Sequence, residues 1–370
     1  MKNLILSSRK SFLARIQTRI ASEKIKKYFS GIIQFDYSNS LGDTDHSKKA
    51  WENHGFGIFT NTLSKKLINK EVDVVVHSFK DLPVKRSNKL SYMCLEREDP
   101  RDVVLIKKTS LKKKKLVIAT SSPRREYYLK LLKDFLPYQN LKSEPIRGNI
   151  QTRLEKILIS NNQDGVFIAK AAIDRIFKYG GKVSLKEYKK FKFIFQKFEK
   201  IILPLSEFPS AAAQGCIALE FRKDDLKIKR ILNKINHISS LEDCLMERKY
   251  LAKWGGGCAL DIGVTIENFL DKKVLFARGR DAHTKKYFKE KKYLNKINTK
   301  KVQNVFPSKL SKYQMFKREL NDFSKKLDNK NLLLTRGDYK ETKSLKNASN
   351  ITTSGISTWK KINQKGILVN

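Results

Sequence analysis

The sequence is short of acid, short of cysteine, and has no long apolar run. Asp and Glu number 37 against 78 Lys and Arg, a formal net charge of +41 over 370 residues. Its four cysteines, Cys94, Cys216, Cys244 and Cys258, stand far apart with no CxxC pair. That argues against a disulfide scaffold or a zinc knuckle and fits a reducing, cytoplasmic setting. No stretch approaches the ~18 apolar residues of a membrane span. The short Leu4–Leu6 run near the N-terminus lacks the h-region of a secretory signal. Neither a Walker A sequence nor GxGxxG is present, which argues against a nucleotide ligand. What is present suffices for a sizeable core: 40% of residues are hydrophobic and 21 are Phe. The length allows two or three domains.

The positive charge is mostly Lys and runs through the whole chain, as in Lys112–Lys115 and Lys186–Lys200. Scattered Lys is the pattern of a solvated surface, with weak attraction to polyanions and no specific nucleic-acid partner. The arginines differ. They gather with Ser, Thr and Gly in short segments.

Those segments fall at predicted strand-to-helix junctions. Leu4–Ser8 reads as a strand before a helix over Ser11–Tyr28, and Glu71–His77 as a buried parallel strand. Val103–Ile106, Leu116–Ala119 and Gly165–Ala169 are further strands; Ser121–Leu132 and Ile150–Ile159 are helices. Ser122 is a candidate cap with Pro123 at the first helical position. The alternation indicates α/β architecture with mostly parallel sheets. In such sheets sites lie at the carboxyl ends of strands. From about Leu226 the pattern becomes α+β: a helix Leu241–Lys253, strands Asp261–Glu267, Lys273–Arg280 and Lys286–Leu294, and a helix Pro307–Lys326. Lys182–Phe198 is expected to be a basic, aromatic surface excursion.

Five sets of residues carry chemistry. In Val74–Pro83 a buried strand delivers Ser78, Lys80 and Asp81 into one loop. A buried carboxylate there is a natural stabiliser of a cation, because water does not dilute its field. His77, inside the strand, is expected to be a core group. Thr120, Ser121 and Ser122 offer hydroxyls and free N–H groups at a helix start, with Arg124 and Arg125 just inside it; this is an anion site. Arg147, Gly148 and Arg153 flank another helix start, and Ser8-Arg9-Lys10-Ser11 repeats the theme. Together they imply a cleft for a ligand with many carboxylates or phosphates. Cys258 follows three glycines, Gly255–Gly257. A thiol on such a loop, with no metal-ligand spacing around it, is a candidate nucleophile or attachment point. Cys216, in an apolar strand, is expected in the core.

HSFKDLP, LEREDPRD (Leu95–Asp102), TSSPRR, RGNIQTRLEK (Arg147–Lys156), AAAQGCIALE (Ala211–Glu220) and ERKYLAKWGGGC…IG (Glu247–Gly263) occur in that order. This string resembles the hydroxymethylbilane synthase, or porphobilinogen deaminase, family over about residues 4–325. The resemblance implies two periplasmic-binding-protein-like α/β domains with a cleft between them and a small α+β domain. The corresponding stretches are 1–101 with 203–221, then 102–202, then 222–328, with 329–370 as an extension. It implies a dipyrromethane cofactor joined to Cys258 by a thioether, on which four porphobilinogens condense head to tail with loss of ammonia. Hydrolysis then releases the linear tetrapyrrole.

By the same resemblance Asp81 matches the catalytic aspartate, with Lys80 beside it. Arg9, Arg124, Arg125, Arg147 and Arg153 match carboxylate-binding arginines, and Ser11, Gln17, Ser78, Lys80, Thr120, Ser121 and Ser122 other cleft contacts. Gln214 matches a glutamine of the interdomain crossing. A cytoplasmic monomer without metal or membrane partner is implied, handing its product to uroporphyrinogen-III synthase. Departures are Glu52 and Phe56 where the lid usually has lysines, Asn61 and Thr62 for a common Lys-Glu pair, Ala213 for a glycine, and Asp261 for a proline. A non-catalytic anion-binding protein on the same fold is the main alternative, but it would need neither Asp81 nor Cys258. Residues 331–370 begin like the first strand and helix of uroporphyrinogen-III synthase. They are too few to bury a core of their own; a passive tail docked on the body through Trp359 and its Ile and Leu residues is one expectation, and a loosely attached extension dispensable for both chemistry and stability is the other.

Overall fold

A computed structural model of the chain describes residues 3–38, 60–83, 87–254, 261–269, 272–295, 331–335, 345, 348 and 350–369. Cys258 and its glycines, the lid positions Glu52 and Phe56, and the expected helix Pro307–Lys326 lie outside the described residues.

Two five-stranded sheets dominate. The first comprises β1 (Asn3–Arg9), β2 (Ile32–Ser38), β3 (Val74–Ser78), β4 (Leu90–Cys94) and, from much later in the chain, β10 (Ile217–Arg222), in the order β2-β1-β3-β10-β4. The second comprises β5 (Asp102–Lys107), β6 (Lys115–Ala119), β7 (Asn140–Glu144), β8 (Gly165–Ala169) and β9 (Phe198–Ile202), in the order β7-β6-β8-β5-β9. Helices Phe12–Ile25 and Asn61–Ile68 cover the first sheet; Pro123–Leu132, Ile150–Ile159 and Lys170–Val183 cover the second. This is the α/β architecture expected, with one correction. Half of the pairings are antiparallel: β10 with β3 and β4, and β5 with β8 and β9. The cause is the double crossing. The chain leaves the first sheet through β4, enters the second through β5, and returns through β9 and β10. Strands built by a crossing run against those built by a βαβ turn.

The two crossing segments are joined to each other. Glu98 N–H donates to Gly215 O at 3.2 Å, and Leu95 N–H to Ile217 O at 3.0 Å. Gly215 has φ +91°, and a Cβ there would stand 2.3 Å from Glu98 O, so only glycine permits this approach. Behind the crossing, helices Phe12–Ile25 and Lys170–Val183 pack on each other, and one hydrophobic cluster runs from Leu4 and Ile16 through Ile173 and Ile176. The expected surface excursion is part of this wall. Residues Leu185–Phe195 form a helix capped by Ser184, and Phe191 and Ile194 are buried in the same cluster. Its residues turn Lys outward and every third or fourth aromatic inward, so the basic composition hid a helical period.

Helix Ile238–Lys253 and a meander of β11 (Gly263–Phe269), β12 (Lys272–Arg280) and β13 (Tyr287–Tyr293) form the α+β unit. Glu247, fully buried, fastens it to the crossings. It accepts from Ala213 N–H at 2.7 Å, Ile266 N–H at 2.6 Å and Arg97 Nη1 at 2.5 Å. Ala213 has φ +63°. An L side chain in that left-handed region costs roughly 1–2 kcal/mol, a cost that glycine would not carry.

The C-terminal residues are docked on the body and not loosely attached. β14 (Asn331–Leu334) pairs in parallel with β15 (Asn350–Thr353), and a helix Ile356–Gln364 follows. Leu334, Ile351, Trp359, Ile362, Ile367 and Val369 are all buried in one cluster with Leu116, Leu132, Leu136 and Phe208 of the main body. Trp359 lies 5.8 Å from the ring of Phe135, and Gln364 Nε2 donates to Asp134 O at 3.0 Å. The segment is too small for its own core and borrows the outer face of the second domain. Deleting 331–370 therefore lowers the melting temperature, by ~5 °C or more given the large side chains uncovered. A thermal melt of the truncated protein beside the full chain measures it.

Candidate active site

The crossing brings loops of both sheets to one cleft. β3 ends at Ser78, and a single 3₁₀ turn, Phe79–Asp81, follows. Phe79 plugs into the core beneath, in edge contact with Tyr92 at 4.9 Å, so Lys80 and Asp81 are pushed toward the cleft. Both are half-buried. Arg248 fastens this loop, donating to Leu82 O at 3.0 Å. Gln17, buried on the first helix, donates to Ser78 Oγ at 2.9 Å. Ser11 stands at the N-cap of that helix without a side-chain capping bond.

From the second sheet, β6 delivers Thr120, Ser121 and Ser122. Ser121 accepts from Ile146 N–H at 3.0 Å and donates to Ile146 O at 2.8 Å. It thus pins the segment that carries Arg147. Thr120 Oγ1 accepts from Ser122 N–H at 3.2 Å, and Ser122, at the N-cap, makes no side-chain capping bond. Helix Ile150–Ile159 is capped by Asn149, which accepts from Thr152 N–H at 3.0 Å. Gly148 has φ +114° and permits the turn before it. Arg153 Nε donates back to Gly148 O at 2.7 Å.

Arg124 and Arg125 differ from the expectation of open carboxylate ligands. Both are at least nine-tenths buried and both hold Asp102: Arg124 Nη1 at 2.6 Å and Arg125 Nη2 at 2.7 Å. Arg124 also donates to Pro209 O at 3.3 Å and lies against the Tyr128 ring. Asp102 is wholly buried. Burial alone would raise its pKa, but the two guanidiniums hold its carboxyl well below the usual range. Sequence reasoning missed this residue. A strand-to-helix pattern marks the carboxyl ends of parallel strands, whereas Asp102 opens the antiparallel β5. An antiparallel strand puts its amino end where its neighbours put their carboxyl ends, and the signal was its place in the LEREDPRD motif.

The groups form one electrostatic unit. Lys80 Nζ donates to Gln214 Oε1 at 2.9 Å. Burial, then the nearby Arg125, lower its pKa to about 8, against the pull of Asp81 and Asp102. Arg153 is lowered to about 10 by burial and by repulsion from Arg125, Arg147 and Arg9, with Asp81 opposing. So Arg9, Lys80, Arg124, Arg125, Arg147 and Arg153 share a field with Asp81 and Asp102. Six cations against two carboxylates leave an excess that a polyanionic ligand relieves. His77 lies behind them, buried, with Nε2 3.2 Å from Glu220. That is a packing and hydrogen-bonding role, as expected. Cys216 is buried with its Sγ 3.2 Å from Cys244 Sγ. Contact with Cys216, then burial, raise the pKa of Cys244 well above normal, so this pair is inert.

Residues 4–230 match the family model for porphobilinogen deaminase, dipyrromethane cofactor binding domain. The chain belongs to the porphobilinogen deaminase family. The porphobilinogen deaminase of Caldicellulosiruptor saccharolyticus is 35% identical over 282 residues, 75% of this chain and 89% of that protein. A probable porphobilinogen deaminase of Methanocaldococcus jannaschii is 33% identical, covering 70% and 80% respectively. The porphobilinogen deaminase of Nostoc sp. is 32% identical, covering 72% and 78%. The matched region spans both α/β domains, and with it the cleft residues just described. A dipyrromethane fits what they offer. Its acidic side arms answer the cation excess, and Arg153, weakened by its like-charged neighbours, gains from any bound anion. Among the described residues no helix is long and apolar enough to cross a membrane.

Proposed function

We propose that the cleft works as the polymerising site of a hydroxymethylbilane synthase, with the following division of labour. The reaction joins four porphobilinogen molecules head to tail with loss of ammonia, then releases the linear tetrapyrrole by hydrolysis. Arg9, Arg147 and Arg153 bind the acetate and propionate arms, which a growing chain accumulates ring by ring. Lys80 adds a charge whose pKa near 8 rises when carboxylates arrive. Arg125, held by Asp102 and by Phe167 O, adds its charge from behind these cations. Loss of ammonia from porphobilinogen creates a cation on the substrate. Asp81 sits beside the pyrrole N–H groups, stabilises that cation and assists proton movement. Gln17 and Ser78, held together, line the same loop. The dipyrromethane supplies the nucleophilic pyrrole carbon from which the chain grows, and Cys258 holds it through a thioether. The enzyme works in the cytoplasm as a monomer, and its product passes to uroporphyrinogen-III synthase.

One observation carries this reading: six cations and Asp81 from two domains share one cleft, in a chain of this family. Intact mass tests it. Native protein is expected to exceed its sequence mass by one dipyrromethane, and Cys258→Ser to lack the increment while remaining folded. A native mass equal to the bare sequence, in protein purified without reductive damage, overturns the assignment.

A further inference from the structure

Five side chains from four stretches of chain meet in one line across the domain crossing. Lys80, from the first domain, donates to Gln214 Oε1 at 2.9 Å. Gln214 lies in the returning crossing and turns its amide nitrogen to Pro100 O at 2.7 Å and Asp102 Oδ1 at 3.0 Å. Asp102 takes Arg125 on that oxygen and Arg124 on the other. Asp102 and Gln214 are 0% and 1% exposed, so neither reaches a ligand itself. An acid in a site for polyacids also works against binding, since its charge repels the ligand. Its presence needs another reason, and the geometry supplies one. Arg124 and Arg125 are consecutive residues whose guanidiniums would repel each other and Lys80. A carboxylate between them turns that repulsion into a fixed arrangement.

We propose that Asp102 and Gln214 are positioning residues of this site. Asp102 fixes Arg124 and Arg125 side by side, and Gln214 carries that fixed point across the crossing to Lys80. The cations of both domains then meet the substrate's carboxylates as one cradle. The inference rests on the reading of the cleft as the porphobilinogen site.

Cofactor-loaded enzyme with Gln214→Met or Asp102→Asn tests it. Methionine fills the glutamine's space without either hydrogen bond. Loss of a charge-assisted bond that aims Lys80 is expected to raise KM for porphobilinogen about tenfold with kcat near wild type. Unchanged KM, or a fall in kcat alone, overturns the proposal. The second readout does not use turnover: acetylation of Lys80 by acetic anhydride, followed against pH by peptide mass. The charged groups facing Lys80 are Asp81, Asp102, Arg124 and Arg125. Removing the charge of Asp102 leaves both arginines, so the midpoint for Lys80 is expected to fall; a midpoint equal to wild type overturns the proposal. If Asp102→Asn does not fold, Gln214→Met decides alone. A wild-type protein that makes no bilane would overturn the function instead, and the Lys80 midpoint would still report on the cradle.

Discussion

Asp81→Asn lowers bilane formation by about 10²–10⁴-fold, the range for loss of a positioned charge or proton carrier. The side chain keeps its shape and its place at the end of the turn Phe79–Asp81. Phe79 in the core and Arg248 on Leu82 O hold that turn independently of the carboxyl. The melting temperature therefore stays near wild type. What is lost is a negative charge among six cations. An amide cannot stabilise a cation developing on the substrate, and the surrounding arginines, no longer offset by Asp81, oppose it further. The effect belongs in the chemical step: ammonia release in a single turnover slows, while the mass increment of the cofactor persists. A variant with near-normal turnover would remove Asp81 from the mechanism.

Glu247→Leu produces the largest loss of stability. One carboxylate accepts from Arg97, from Ala213 N–H in the returning crossing, and from Ile266 N–H in β11. Burial raises its pKa and the Arg97 guanidinium opposes that rise. Leucine leaves a guanidinium and two backbone donors buried without their acceptor. Breaking a buried pair in this way costs about 3–5 kcal/mol, or roughly 10 °C of melting temperature for a domain of this size. Glu247→Gln, which keeps an oxygen for the backbone donors, loses less. Equal melting temperatures for leucine and wild type would show that the bridge is not what joins the α+β unit to the crossing.

Local signals were legible where the chain caps and turns by itself. Ile150–Ile159 and Gly165–Ala169 have the expected bounds, because Asn149 and the β-branched run announce them. The turns carrying Lys80, Asp81 and Arg147, and the helix start carrying Arg153, were legible for the same reason. Strand direction was not, since it depends on how often the chain passes between sheets, and no window of sequence records that. Asp102 was hidden with it. The partial sequestering of Arg124 and Arg125 followed, because a buried acid changes what an arginine does without changing the motif. The helix Leu185–Phe195 was obscured by its lysines. The docking of Trp359 was obscured by distance, as its partners Phe135 and Phe208 lie more than a hundred residues away.

Ala213 has a consequence for what the crossing can tolerate. Its left-handed backbone is held where its N–H meets Glu247, at the point where the chain crosses back between domains. The β-carbon makes that conformation costly, and the bond to the buried carboxylate helps to offset the cost. The strut at the crossing therefore works against the residue it holds, and a glycine at this position would keep the same bond without that strain.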